Sequence, residues 1–125
     1  MPISNYLETN FINASVRNTA YTPPATVYIA LYSTAPTAST AGVELTGNGY
    51  SRQSVAFAAP TVDGSASNGI VTFGPATADW LNVVSTAVVD AATAGNILYF
   101  QSKGASIKSG DTIEIAAGDI TLTIA

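Results

Sequence analysis

Eight carboxylates, four cations, no histidine and no cysteine bound the chemistry open to this chain of 125 residues. A Ser-His-Asp or Cys-His relay cannot be assembled, and neither can a histidine or thiolate zinc site. The acids are Glu8, Glu44, Asp63, Asp79, Asp90, Asp111, Glu114 and Asp119. Two carboxyl groups suffice for glycoside hydrolysis, one as proton donor and one as base or nucleophile. Several of these acids, however, stand beside turn glycines, as in Asp63-Gly64, Gly110-Asp111 and Gly118-Asp119. There an aspartate needs no role beyond capping backbone amides. A calcium site built from turn aspartates needs only oxygen ligands, but the EF-hand spacing is missing. No S-x-x-K pattern, phosphate-binding loop or G-x-G-x-x-G fingerprint occurs, and Gly47-Asn48-Gly49 reads as a turn. The expectation is a protein that is not an enzyme and uses no metal and no cofactor. A carboxylate-pair polysaccharide hydrolase is the remote alternative.

The cations and aromatics point elsewhere. Arg17, Arg52, Lys103 and Lys108 are scattered, and the net charge is -4. Nucleic-acid binding relies on clustered basic side chains that displace counterions from phosphates, so that class is excluded. With so few charges, each arginine is expected to make a specific hydrogen-bonded contact, within the chain or between subunits. Tyr28 and Tyr32 share one strand face with Ala30 between them, while Tyr50, Trp80, Tyr99 and Phe100 fall near strand ends. Such side chains suit a protein interface or a sugar-stacking platform. Amphipathic packing under the N-terminal helix is the other use, and it is preferred for Tyr28 and Trp80. The candidate interface residues are Arg17, Tyr28, Tyr32, Tyr50 and Arg52.

These side chains must be positioned by a folded domain. Apolar residues make up 47% of the chain and charged ones 10%, the reverse of a disordered composition. Free-standing soluble proteins carry about a quarter charged residues. So low a charge content favours surface buried against other subunits, hence a homo-oligomer, over a Thr/Ser-rich surface that is soluble alone. The start, MPISNYLETN, lacks the basic and apolar regions of a secretory signal. The longest apolar run, Val83 to Val89, is broken by Ser85 and Thr86 and is too short to span a bilayer. A product made and kept in the cytoplasm, unless exported within an assembly, is expected, with no membrane partner.

One helix is predicted over residues 3–18. Ile3, Leu7 and Phe11 recur at helical spacing, with Ile12 and Val16 extending that side, and Asn5 with Glu8 resembles a capping box. Weak helix formers such as Thr9, Asn10 and Asn13 make it depend on docking, preferably on its own sheet. Beyond Pro24 the pattern turns to period two, giving strands over 26–33, 51–58, 69–74, 82–90, 96–102, 111–116 and 119–124. Glycine- and asparagine-rich turns separate them, and no second helix intervenes. The fold class is therefore mainly β, an antiparallel β-sandwich or barrel-like domain with one N-terminal helix, a single domain over 1–125 with the sandwich over 26–124. Residues 111–125 read as the clearest hairpin, with Ile113 and Ile115 in one inward row and Ile120, Leu122 and Ile124 in the other. Residues 34–50 form a long Thr/Ala/Gly/Pro-rich connection, a length that is usually functional, partner-contacting or mobile.

Six segments in order carry a resemblance: NYLE at 5–8, RNTAYTPPATVYIALYSTAPT at 17–37, GNGYSRQSVAF at 47–57, TADW at 77–80, GNILYF at 95–100 and SGDTIEIAAGDITLTI at 109–124. The chain resembles small proteins of tailed bacteriophages that share an N-Y-L-E helix, an R-x-T-A-Y-x-x-P-A-T-x-Y-x-A-L-Y strand and a G-Y-x-R-Q motif, and that are commonly labelled tail fibre or structural proteins. The resemblance implies a virion component and carries no catalytic residue. Its partners would be the major capsid protein or tail proteins, together with sister copies in a homo-oligomer, for which the decoration role favours a trimer. Compact size and the lack of a trimerising shaft favour a capsid decoration (cement) protein over a tail fibre subunit, and hence the capsid surface over the tail.

Overall fold

The computed structural model describes residues 1–61, 64–80 and 82–123. The Asp63 turn and the inward Ile124 expected from the sequence lie outside the described residues.

Helix α1 (Asn5–Val16) begins later than predicted and is capped differently. Residues 2–4 are extended and pair along a strand, so the helix can start only after Ser4. The Ser4 hydroxyl accepts the amide of Leu7 at 3.2 Å, taking the capping role expected of Asn5. At the other end Asn18 adopts φ 52°, a left-handed conformation that stops the helix. Leu7 is the one buried residue of α1. Phe11, on the same line, meets Tyr21 edge to face, with ring centroids 6.4 Å apart. Ile12 and Val16 are 51% and 77% exposed, so the predicted apolar side is only half used. One residue step of about 100° carries Ile12 off the line of Leu7 and Phe11.

Among the described residues nine strands follow: β1 (Val27–Thr34), β2 (Val43–Glu44), β3 (Gln53–Val55), β4 (Gly64–Ala66), β5 (Val71–Phe73), β6 (Asn82–Val89), β7 (Ile97–Ser106), β8 (Ile113–Ile115) and β9 (Thr121–Thr123). All pairings are antiparallel. The fold is mainly β with antiparallel sheets and one helix, as the sequence pattern requires. β1 and β6 form the centre of the main sheet, β7 flanks β6, and β2 and β3 share the outer edge of β1. Two small sheets, β4 with β9 and β5 with β8, complete the architecture. The segments β2 and β4 carry too few apolar residues to be read as strands, and β2 lies inside the long 34–50 connection. That connection is therefore partly built into the sheet, and Asn5 further ties it down by donating to the Ala38 carbonyl at 2.9 Å.

The hairpin expected over 111–125 is corrected. Its turn exists, with the Asp119 amide on the Ala116 carbonyl at 3.1 Å, but β8 pairs with β5 and β9 pairs with β4. Ser67 explains the divergence. Its hydroxyl accepts from the amides of Gly118 and Ile120, and its own amide donates to the Ile120 carbonyl at 2.8 Å. Those bonds draw the chain toward β4. Alternation predicts which side chains turn inward, and Ile113, Ile115 and Ile120 are indeed buried, but it does not choose the partner strand.

One core lies between the main sheet and the small sheets. Ile29, Leu31, Val83, Val88 and Leu98 pack there with Val71, Phe73, Ile113, Ile115 and Ile120, joined by Leu7 and Trp80. Val83 and Val88 reach the same side despite odd and even positions because the register shifts between Val83 and Ser85. On the reverse face, Ala30, Tyr32, Ala87 and Val89 form a second cluster with Tyr28, Ile97 and Phe100. Tyr28 thus packs, but on the face opposite Leu7 rather than under the helix as expected. Thr86 stands across from Leu31 in the core, fully buried, and its hydroxyl has no hydrogen-bond partner among the described residues.

Candidate functional site

The turn Gly47-Asn48-Gly49 and strand β3 place Tyr50 and Arg52 two residues apart, on one side of an extended segment. Both reach Glu44, which β2 sets opposite Tyr32 on β1. Arg52 meets the carboxylate with two parallel bonds, Nε to Oε2 at 2.9 Å and Nη2 to Oε1 at 2.8 Å. This fork-to-fork geometry is among the stronger protein hydrogen-bond arrangements. The Tyr50 hydroxyl donates to Glu44 Oε2 at 2.6 Å and accepts the Leu31 amide at 3.0 Å. The remaining guanidinium nitrogen, Nη1, donates to the carbonyls of Ala91 at 2.8 Å and Ala94 at 2.7 Å.

Those carbonyls belong to the β6–β7 turn, which is shaped for the purpose. Asp90 Oδ1 accepts the Asn96 amide at 2.7 Å, and Gly95 adopts φ 77° beside it. A Cβ at Gly95 would collide with that carboxylate, so only glycine fits. Below the cluster, the Tyr50 ring stacks on Phe73 (6.1 Å, 8°) and meets Trp80 edge to face at 5.8 Å. The Trp80 indole N–H donates to the Asn48 carbonyl at 2.7 Å, pinning the turn that presents Tyr50.

Burial pushes the Glu44 carboxyl up, but hydrogen bonds from Arg52 and Tyr50 outweigh it and hold the group below its usual range. The Arg52 guanidinium is driven further toward its charged form by the bond to Glu44. Burial and the bond to Glu44 raise the Tyr50 phenol far above its ordinary value. Tyr32 is pushed up to about 12, by burial first and by Glu44 second. A carboxylate with both oxygens occupied and a phenol this hard to ionise are poorly placed to act as base or nucleophile. Chemically the cluster is a clamp. It fastens β1, β2, the 47–52 segment and the β6–β7 turn together.

Of the residues singled out in the sequence, Tyr50, Arg52 and Tyr32 converge on Glu44. Tyr28 lies in the reverse-face cluster, and Arg17 is exposed at the end of α1, where its backbone amide donates to Asn13 and its carbonyl accepts from the Thr19 hydroxyl. The specific contact expected of every arginine therefore exists for Arg52, and among the described residues Arg17 makes none. Glu44 was not distinguishable among the eight acids. The usable signal was Tyr50-x-Arg52 itself, since two donors on one strand face call for a shared acceptor. Asp79 and Asp111 serve as backbone caps: Asp79 accepts the amide of Ser109, thirty residues away, at 2.9 Å, and Asp111 the nearby Lys108 amide at 3.2 Å. No group of three or more potential metal ligands assembles among the described residues.

Compared with known families, the chain matches the model described as Podophage GP4 fiber I protein gp80 over residues 2–123. No curated protein matches it.

Proposed function

Because the chain belongs to the Podophage GP4 fiber I protein gp80 family, a family of phage fibre-type structural proteins and so of virion components, we propose that it serves as a non-enzymatic structural subunit of a fibre on the phage tail. The observation that carries this reading is the family match across nearly the whole chain. The clamp agrees with it. The G-Y-x-R-Q residues Tyr50 and Arg52 are spent on internal bonds that fix three segments in place, which is what a load-carrying subunit needs. Function is then adhesive: copies join one another and neighbouring tail proteins through many weak contacts, which repetition makes strong through effective concentration.

Quantitative mass spectrometry of separated heads and tails tests the assignment. The expected result is enrichment in the tail fraction. Recovery only with heads would overturn it and favour the second reading, a decoration protein on the capsid surface. That alternative is supported by the fold itself, whose strands turn back into short sheets without a long shaft among the described residues. The hydrolase reading is addressed by changing each acid to its amide and assaying polysaccharide breakdown. A real activity lost on one such change would displace the structural proposal.

A further inference from the structure

Residues 1–16 hold the body of the protein differently from every other segment. Ser4 donates to the Leu98 carbonyl at 2.8 Å and Phe100 donates to the Pro2 carbonyl at 3.1 Å, so residues 2–4 add a short strand to the edge of β7. The amino group of Met1 reaches the Thr121 carbonyl at 3.0 Å. Apart from these bonds and the one from Asn5 to Ala38, the arm contributes one fully buried side chain from its helix, Leu7, with Met1, Ile3 and Phe11 partly buried against the core. After it comes a tether. Arg17 and Thr19 bond back to Asn13, and Tyr21 packs on Phe11 and, partly buried, against the core. Between Ala20 and Ala25 no hydrogen bond ties the chain to any of the sheets among the described residues. Pro23 and Pro24 fix φ and hold the residues before them extended. The nine residues from Asn18 to Thr26 can span about 28 Å at about 3.1 Å each.

We propose that this arm is an exchange element: in the assembled protein, Met1–Val16 of one copy docks on the β7 edge of a second copy. The proposal rests on the structural-subunit reading above. The occupant is a second copy because the β7 edge already accepts this arm, residue for residue, and exchange reproduces every bond while changing only which copy supplies it. The balance between closed and exchanged forms is then set by local concentration, which is high wherever subunits repeat along an appendage.

The absence of native cysteine makes the test clean. Ile3 and Tyr99 face each other as a pair flanked, not bridged, by the Ser4–Leu98 and Phe100–Pro2 bonds. Such pairs have Cα atoms about 4.5 Å apart, within disulfide range. The variants Ile3→Cys and Tyr99→Cys are unfolded, mixed, refolded, concentrated and oxidised. A disulfide-linked mixed dimer is expected on a non-reducing gel. Failure to form it, while the Ile3→Cys/Tyr99→Cys double variant closes an intrachain disulfide, would overturn the proposal. Tyr99 is a core residue, so a second measurement uses the unaltered sequence. A refolded, concentrated 1:1 mixture of carbon-13-labelled and unlabelled protein is examined by isotope-filtered NOE. Intermolecular transfer between the Ile3 methyls and the Tyr99 ring is expected, and purely intramolecular transfer overturns the idea. A closed monomer that still fractionates with tails leaves the structural role standing and removes arm exchange alone.

Discussion

The Arg52 clamp and the N-terminal arm each fasten parts of the chain that lie far apart in sequence, with opposite chemistry. The clamp uses one guanidinium and one phenol on a single carboxylate, and its bonds join four separate segments. The arm uses backbone amides along a strand edge and apolar side chains of which only Leu7 is fully buried. Side-chain bonds of the first kind demand particular residues at particular positions and tolerate no substitute. Main-chain pairing of the second kind is indifferent to most side chains and can be made equally by a different copy. One end of the molecule is thus built to stay fixed, while the other is attached in a way that permits transfer.

The largest expected effect comes from removing Arg52. Its side chain is 10% exposed, and Arg52→Ala strands Glu44 without its cation. A loss of about 2.5 kcal/mol in urea unfolding is expected, because Glu44, whose side chain is 24% exposed, loses the forked charge-assisted bonds that satisfy it. Arg52→Lys should recover only part of it, since an ammonium cannot make the fork and also serve Ala91 and Ala94. Equal stability for Lys and Arg would show that the geometry of the clamp is unimportant.

At the arm, Leu7→Ala should cost about 2 kcal/mol, from lost burial and an incompletely filled site. The loss is expected to be local. Hydrogen exchange should quicken at Ser4 and Phe100 while amides of β1 and β6 keep their protection. Global loss of protection would mean that the arm is as integral as the clamp.

Titration separates the two regions next. Glu44 is held below its ordinary 4.5, so its contribution is present above pH about 4.5 and is lost as pH falls through the folded value. Tyr50 and Tyr32 are raised above 10, so their contribution is complete below pH about 10 and is lost as pH climbs, for Tyr32 through about 12. Thermal melts across pH should fall at both extremes in the native protein. In an Arg52→Ala/Glu44→Gln pair the acid limb should flatten, while the strand pairing of the arm, made by amides, does not titrate.

The smallest effect belongs to neither region and serves as the reference. Thr86→Val replaces a buried hydroxyl that bonds to nothing among the described residues with a methyl of similar size, and should change stability by less than about 1 kcal/mol, toward greater stability. A large loss would reveal a bond to a buried water.

Much of this was legible beforehand for a physical reason. Period-two alternation in Val27–Tyr32 and in Ile113, Ile115 and Ile120 reports burial directly, so the strands and inward rows could be read. Partner choice could not, because Ser67 settles it from about fifty residues away. The start of the helix was misread for the same reason: Ser4 caps it only because residues 2–4 are held in a sheet. In the clamp, Tyr50 and Arg52 stood out as scarce donors, while Glu44 lay in a Thr/Ala/Gly-rich stretch without periodicity. Its role exists only once β2 is laid against β1.

The Ser67 junction also bears on how the molecule comes into being. β4 and β5 leave the ribosome some forty to sixty residues ahead of β8 and β9, the strands that complete them. At roughly 5–20 residues per second, they wait seconds with an open edge. Pairings of such long sequence separation place folding in the range of milliseconds to seconds, on the order expected for all-β domains. The nascent chain is therefore most prone to wrong pairing before β8 and β9 arrive, and a hydroxyl at position 67 that captures Gly118 and Ile120 ends that interval.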